Sequence, residues 1–171
     1  GNIYRTTDGG STINALPLVP GENITDISVH PTDPLKVWVT VGGWSSSKKV
    51  YRTEDGGITW TNITYNLPNI PTNCIVCQEG TNGGVYVGND FGVYYYNEDL
   101  SEWISFQEGL PRTTVSDLYI NYTDSKLTAG TFGRGVWQTE LFTSSLFEVD
   151  LFVKLIENLE DAYCDSIPNP E

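Results

Sequence analysis

The sequence predicts an all-β chain built from β-propeller blades, four-stranded antiparallel sheets forming part of a ring. Three observations carry this expectation. Seventeen Gly, nine Pro and 12% aromatic residues in 171 positions break the chain into short segments and leave few helix formers. A tight-turn motif recurs at intervals of 47, 43 and 43 residues, which is the length of one propeller blade. Between the turns lie short apolar or alternating runs of strand length.

The repeat is read directly from the residues. Val50-Tyr51-Arg52-Thr53-Glu54-Asp55-Gly56-Gly57-Ile58-Thr59-Trp60 matches Ile3-Tyr4-Arg5-Thr6-Thr7-Asp8-Gly9-Gly10-Ser11-Thr12-Ile13. A degenerate copy runs from Val93 to Trp103, and Val136-Trp137-Gln138-Thr139 opens another. Asn66-Leu67-Pro68 returns as Gly109-Leu110-Pro111, and Ile24-Thr25-Asp26-Ile27 as Val115-Ser116-Asp117-Leu118. The first full period then reads as strands A to D at 25–29, 36–41, 49–53 and 59–64, with His30-Pro31-Thr32-Asp33-Pro34 forcing the first turn. The second reads as 74–77, 85–87, 92–96 and 102–106, and the third as 115–120, 126–129 and 135–138. The expected organisation is a half blade over 1–20, blades over 21–66 and 67–109, and a partial blade over 110–141. Residues 142–171 would be a linker and the start of a β-sandwich-like module, with 147–153 alternating like a strand. The rival reading is a short helix, because Phe152, Leu155, Ile156 and Leu159 share helical spacing.

So few blades cannot close a ring of about four or more. The remaining propeller blades of the same chain are therefore the first expected partner. The abrupt ends and the absence of Met read as a piece of a longer protein.

Charge narrows the partners further. Nine basic residues against 22 acidic ones leave a net charge of −13, which repels phosphate backbones and anionic lipid surfaces. No nucleic acid is expected as a ligand, and no membrane insertion, since no apolar run approaches the roughly 18 residues needed to span. Three Cys leave at least one unpaired. Cys74 and Cys77 sit three apart on a strand, so they face opposite sides and cannot share a metal or a disulfide without a bend. His30 is the sole histidine, which rules out histidine-based triads and zinc sites. No cofactor is expected. Calcium is the one ion that acidic, carbonyl-rich loops would suit, though no segment has dedicated ligand spacing.

The repeated turn has a structural chemistry. Its carboxylate, Asp55 or Asp8, accepts backbone N–H bonds across the hairpin, as Asx-turns do. Gly57 and Gly10 supply the positive φ, Thr53 and Thr6 precede the turn, and Trp60 packs an apolar plate on the hairpin. Thr53-Glu54-Asp55-Gly56-Gly57-Ile58-Thr59-Trp60 resembles the Asp-box, or bacterial neuraminidase repeat (BNR), of sialidases, sortilin-type propellers and xyloglucan-cleaving glycoside hydrolases. The runs 29–34, 66–71, 88–94 and 130–137 look like sortilin-like propellers of large secreted or cell-surface proteins of Bacteroidota, commonly type IX secretion cargo. The resemblance covers about residues 1 to 141. It implies an extracellular or cell-surface location, Asp-boxes on the rim away from any active site, and an immunoglobulin-like module after the propeller.

In propellers the B–C and D–A loops share one face, where ligands usually meet the ring. Trp44, Phe91 and Phe132 occupy the B–C loops and would form an aromatic platform, with Asp90, Arg112 and Arg134 as polar contacts. The alternative packs both Phe between blades and pairs Arg134 with an acid. No catalytic residue is assigned: Asp90 has no clear second carboxylate on these loops, and Arg5 and Arg52 lie beside the Asp-boxes. The sequence favours a non-catalytic binding or scaffold module recognising a glycan or protein. Its alternatives are part of a propeller glycoside hydrolase whose carboxylates lie elsewhere, and a structural component of a surface or secretion assembly.

Overall fold

The computed structural model describes residues 2–20, 23–45 and 47–143. The strand and helix readings of 147–159, and Cys164, lie outside the described residues. All strands among the described residues belong to one compact unit, Gly1–Glu140. No helix among them is long and apolar enough to cross a membrane.

Four antiparallel sheets follow one another in chain order. The first pairs β1 (Tyr4–Arg5) with β2 (Asn14–Ala15). The second contains β3 (Ile24–Val29), β4 (Val37–Val41), β5 (Val50–Thr53) and β6 (Thr61–Asn62) in sequence order. The third repeats that order with β7 (Thr72–Cys77), β8 (Val85–Asn89), β9 (Gly92–Tyr96) and β10 (Ile104–Ser105). The fourth has three strands, β11 (Val115–Asn121), β12 (Lys126–Thr131) and β13 (Gly135–Glu140).

Burial explains the composition of the strands. Val37-Trp38-Val39-Thr40-Val41 of β4 is buried along its whole length, as is β8. A strand covered on both faces reads as a continuous apolar run rather than an alternating one. Trp38, Val50, Ile63 and Leu67 of the second sheet interlock with Ile75, Cys77, Val85, Val87, Tyr96 and Trp103 of the third. The core therefore lies between successive sheets, where each fully buried Val or Ile contributes about 1.5–3 kcal/mol.

The leading strands β3, β7 and β11 lie side by side and run parallel. Thr25 Oγ1 donates to the Thr72 carbonyl (2.7 Å), Asp26 Oδ2 accepts from Ile75 N (2.9 Å), and Ser28 Oγ accepts from Cys77 N (3.0 Å). At the next junction Asn73 Nδ2 donates to the Val115 carbonyl (3.2 Å), and Tyr122 OH donates to the Cys77 carbonyl (3.4 Å). Each of the three strands has a bulge at the same place, between Ile24 and Asp26, Thr72 and Cys74, and Val115 and Asp117. A bulge re-aims one side chain, and here it turns Thr25 and Asn73 onto the next strand.

The fourth strands are shorter than the sequence suggests: β6 and β10 hold two residues each, not five or six. For β10 the Trp103 N–H is taken by Asn66 Oδ1 (2.8 Å), and for β6 the turn chemistry is responsible. Asp55 captures the N–H groups of Ile58 (2.9 Å) and Thr59 (2.9 Å), and these cannot then join a ladder. Trp60 and Trp103 consequently sit just before the short strands. Trp60 is half-buried against Val19, Val39, Val41 and Tyr51. Trp103 is buried and donates its indole N–H to the Ile63 carbonyl at 2.8 Å.

Candidate functional site

Because the leading strands are parallel and every hairpin is antiparallel, the β4–β5, β8–β9 and β12–β13 turns emerge at one end of the sheets. Each presents an aromatic side chain. Trp44 is 65% exposed, Phe91 47% and Phe132 80%. Each turn is fastened to the segment that starts its own leading strand: Gly42 N donates to the Asn23 carbonyl (2.8 Å), Asn73 Nδ2 to Asp90 Oδ1 (3.0 Å), and Phe132 N to the Thr114 carbonyl (2.8 Å). Thr113 Oγ1 adds a bond to the Phe132 carbonyl at 3.1 Å. Arg112 therefore leads into the segment that holds the Phe132 turn.

Asp90 is half-buried and held by Asn73, so one of its oxygens is already engaged. Arg112 and Arg134 are exposed and form no ion pair among the described residues. The Arg134 carbonyl accepts from Trp137 Nε1 at 2.9 Å, which steadies the turn while leaving the guanidinium outside. Among the described residues, no group of three or more His, Cys, Asp or Glu is gathered as a metal would require.

No sequence pattern singles out Lys49. It is fully buried beneath the β4–β5 turn and donates Nζ–H to the Gly43 carbonyl at 2.6 Å. An ammonium so buried requires strong acceptors, and here it holds the loop that carries Trp44. A lysine beside Lys48 at a strand start resembles any solvated pair, so no pattern distinguishes it.

The opposite end carries the repeated turns. Asp55 Oδ1 accepts from Thr53 Oγ1 (2.7 Å), Ile58 N and Thr59 N, and Oδ2 accepts from Thr59 Oγ1 (2.6 Å). Thr53 Oγ1 in turn accepts from Gly57 N at 2.8 Å. Asp8 repeats this with Thr6 Oγ1 (2.9 Å), Thr12 N (2.9 Å) and Thr12 Oγ1 (2.7 Å), while Gly10 N donates to Thr6 Oγ1 at 2.8 Å. The glycines match as well, with φ of 70° and 92° at Gly56 and Gly57 and 70° and 94° at Gly9 and Gly10. The backbone and hydroxyl of Thr12, with Thr6, hold the Asp8 carboxyl down to about 2. The Thr59 hydroxyl and backbone, with Thr53, hold Asp55 lower still. Such engaged carboxylates are latches, and their lowered pKa values make them weak general bases.

Cys74 and Cys77 are free, buried and directed to opposite neighbours: Cys77 Sγ approaches the Val29 carbonyl at 3.4 Å, and Cys74 Sγ the Val115 carbonyl at 3.9 Å. Burial pushes the Cys74 thiol up to about 12, so it is not a nucleophile. His30 is a half-buried turn residue whose Nδ1 lies 3.3 Å from Thr32 N and whose ring lies 6.2 Å from that of Trp38.

No protein-family model and no curated protein sequence matches this chain. Solved structures do. A gluconolactonase from Xanthomonas campestris superposes with a TM-score of 0.60 and 15% identity, covering 80% of this chain and 43% of its own. The fold is of the β-propeller type. The chain thus spans less than half the length of that gluconolactonase. The extracellular domain of a putative hybrid two-component system from B. thetaiotaomicron overlays 70% of this chain and 17% of its own length, with a TM-score of 0.47 and 18% identity. Sheets of two, four, four and three antiparallel strands are compatible with blades of that fold.

Proposed function

We propose that this chain is part of an extracellular or cell-surface β-propeller that serves as a recognition module for a glycan or protein partner. The observation that carries the reading is the succession of three exposed aromatics, Trp44, Phe91 and Phe132, on consecutive turns at one end of the blades. Scattered single apolar residues need no explanation, but an aligned set accompanied by unpaired cations is typical of contact surfaces. Arg112 and Arg134 supply those cations, and Asp90 an acceptor already oriented by Asn73. At the opposite end the repeated turns have the saturated chemistry that the Asp-box resemblance implies, which makes those turns structural.

The ring itself is completed by further blades. Leu118 and Ile120 of β11, like Ile75 and Cys77 of β7, are buried against the preceding blade, whereas the equivalent Ile27 and Val29 of β3 are about half exposed. At the other extreme Ser116 and Asp117 occupy the positions of Thr25 and Asp26. Asp117 Oδ1 accepts only from Leu118 N (2.9 Å) among the described residues, where Asp26 also accepts from the next blade.

The test is binding to arrays of immobilised glycans and of surface-displayed peptides, comparing the chain with a Trp44→Ala/Phe91→Ala/Phe132→Ala variant. All three side chains are exposed, so the variant should keep its fold. Buried aromatic anchors carry about 1–2 kcal/mol or more each at interfaces, so binding should fall at least about tenfold. Undiminished binding by the triple variant would overturn the reading.

A further inference from the structure

β13 is the last strand of its sheet. It pairs with β12 along all six residues without a bulge, and among the described residues no strand pairs with its other side. All six residues are exposed. Proteins ordinarily cover, kink or charge an edge of that length, because it is a template for another strand. Gly135–Glu140 holds no proline, and its one charged residue, Glu140, is already paired with Lys126.

The two four-stranded sheets show what covers the same edge. Val50, Val93 and Val136 hold one register position, opposite Thr40, Gly88 and Gly130. The Val50 and Val93 carbonyls accept from Ile63 N (3.0 Å) and Phe106 N (2.9 Å) on the fourth-strand side. Each covering segment starts with a tryptophan and has an apolar residue three further on: Trp60-Thr61-Asn62-Ile63 and Trp103-Ile104-Ser105-Phe106. The tryptophan turns back onto the preceding sheet. Trp103 donates Nε1–H to the Ile63 carbonyl (2.8 Å), bonds Asn66 through its backbone, and lies 5.3 Å from the ring of Tyr96. The counterparts of residues 63–66 and Tyr96 in the next repeat are residues 106–109 and Thr139. A cavity of about 150 Å³ lies there, lined by Ser105, Phe106, Gln107, Glu108 and Thr139.

We propose that the β13 edge takes up an antiparallel strand from a partner, an extended segment with an aromatic anchor seated in this cavity and an apolar residue three positions later. The β5–β6 and β9–β10 pairings are the same interface made within the chain. Main-chain bonds to β13 give such a strand its affinity, and the anchor gives it register and specificity. Charge sets a further condition. The chain carries a net charge of −13 and Glu108 lines the cavity, so an acidic segment is repelled and a neutral one is suited. The site shares no residue with the aromatic turns, so it stands or falls independently of them.

The probe is a synthetic peptide copying residues 58–68 of this chain, which carry no charged side chain. It is titrated into the full chain while the assigned backbone amides are followed by NMR. The amides of Val136 and Gln138 should shift together and exchange more slowly with deuterium. The same peptide carrying Trp60→Ala should bind at least about tenfold more weakly. On the protein side, Val50 N points outward at this register position, to Thr64 Oγ1 (3.2 Å). Val136→Pro would remove the matching N–H from an edge strand, where proline is tolerated, and should abolish the shifts. The peptide variant keeps the test decisive if Val136→Pro does not fold. The proposal fails if no β13 amide moves up to about 1 mM peptide, which half-fills a site with a Kd of about 1 mM. It also fails if the shifts map elsewhere or if both peptides bind equally. Amides of β13 already protected in the chain alone would overturn it too, by showing that another segment of the chain or a second copy holds the edge.

Discussion

Ile27 and Ile75 occupy equivalent positions on leading strands, one residue past the end of the same bulge, yet they differ in cover. Ile75 is 5% exposed in the cluster between the full blades, whereas Ile27 is 47% exposed on the face of β3 that no full blade covers. Ile75→Ala empties an enclosed site and should cost about 3 kcal/mol, within the range of about 2–5 for such truncations. Ile27→Ala removes a side chain only half withdrawn from water, with no closed cavity left behind, and should cost about 1 kcal/mol. The difference of about 2 kcal/mol should separate the urea midpoints by about 1 M, for a slope of about 2 kcal/mol/M. Circular dichroism and tryptophan fluorescence should report the same midpoints. Equal losses from the two substitutions would refute the reasoning, because they would mean that β3 is covered in solution.

Two further predictions concern the repeated turns. Gly57→Ala should destabilise more than Gly10→Ala, by about 2–3 against about 1 kcal/mol in the same denaturation assay. Both glycines have φ above 90°, but a Cβ at Gly57 would lie 2.5 Å from Leu16 Cδ1 while one at Gly10 meets nothing within 4 Å. Acid should remove the latch contribution. A carboxyl lowered on folding stabilises fully above its ordinary pKa, 3.8 here, and that contribution disappears as pH falls through the folded value, about 2 for Asp8. Asp55→Asn should therefore melt below the wild type at pH 7, and the gap should narrow as pH falls from about 4 to about 2, closing only below the folded value of Asp55, which lies lower than that of Asp8. A constant gap across that window would show that the Asp55 charge is not what the turn uses.

Much of the fold is written in the sequence because the repeat makes it redundant. Three copies of one turn and two of the Ile24–Ile27 pattern fix the period, and the period sets the sheets. Sequence pattern overextends β6 because a carboxylate that saturates itself on Ile58 and Thr59 competes with the ladder, and strand propensity does not register that competition. The aromatic turns were legible because Trp44, Phe91 and Phe132 recur at matched places. The cleft of about 240 Å³ between the two four-stranded sheets was not. Its walls come from Lys36, Arg52 and Glu98, far apart in sequence, and each looks like an ordinary solvated charge until the blades are stacked. Arg5 and Arg52 illustrate the same limit. They are equivalent in the repeat, and both reach the turn of the following blade, Arg5 at the Gly56 carbonyl (2.6 Å) and Arg52 at Glu98.

The two open faces constrain how the proposed ring closes. The face that β11 leaves open has Ser116 and Asp117 where β3 uses Thr25 and Asp26 to hold β7. The face that β3 leaves open has Ile27 and Val29 where β7 offers Ile75 and Cys77 to β3. Each open face is therefore complementary to the other and not to itself. Two copies meeting through the same face would place Asp117 against Asp117, or leave the Ile27 backbone without the couplers that bind its counterpart Ile75. A heterologous, head-to-tail continuation satisfies both sides at once. In the proposed ring, further blades of the same chain would provide it in the same rotational sense, each adding one leading strand with its bulge. That requirement gives the proposed ring one permitted direction of growth, and it suits Ser116 and Asp117, which bond only within their own sheet among the described residues.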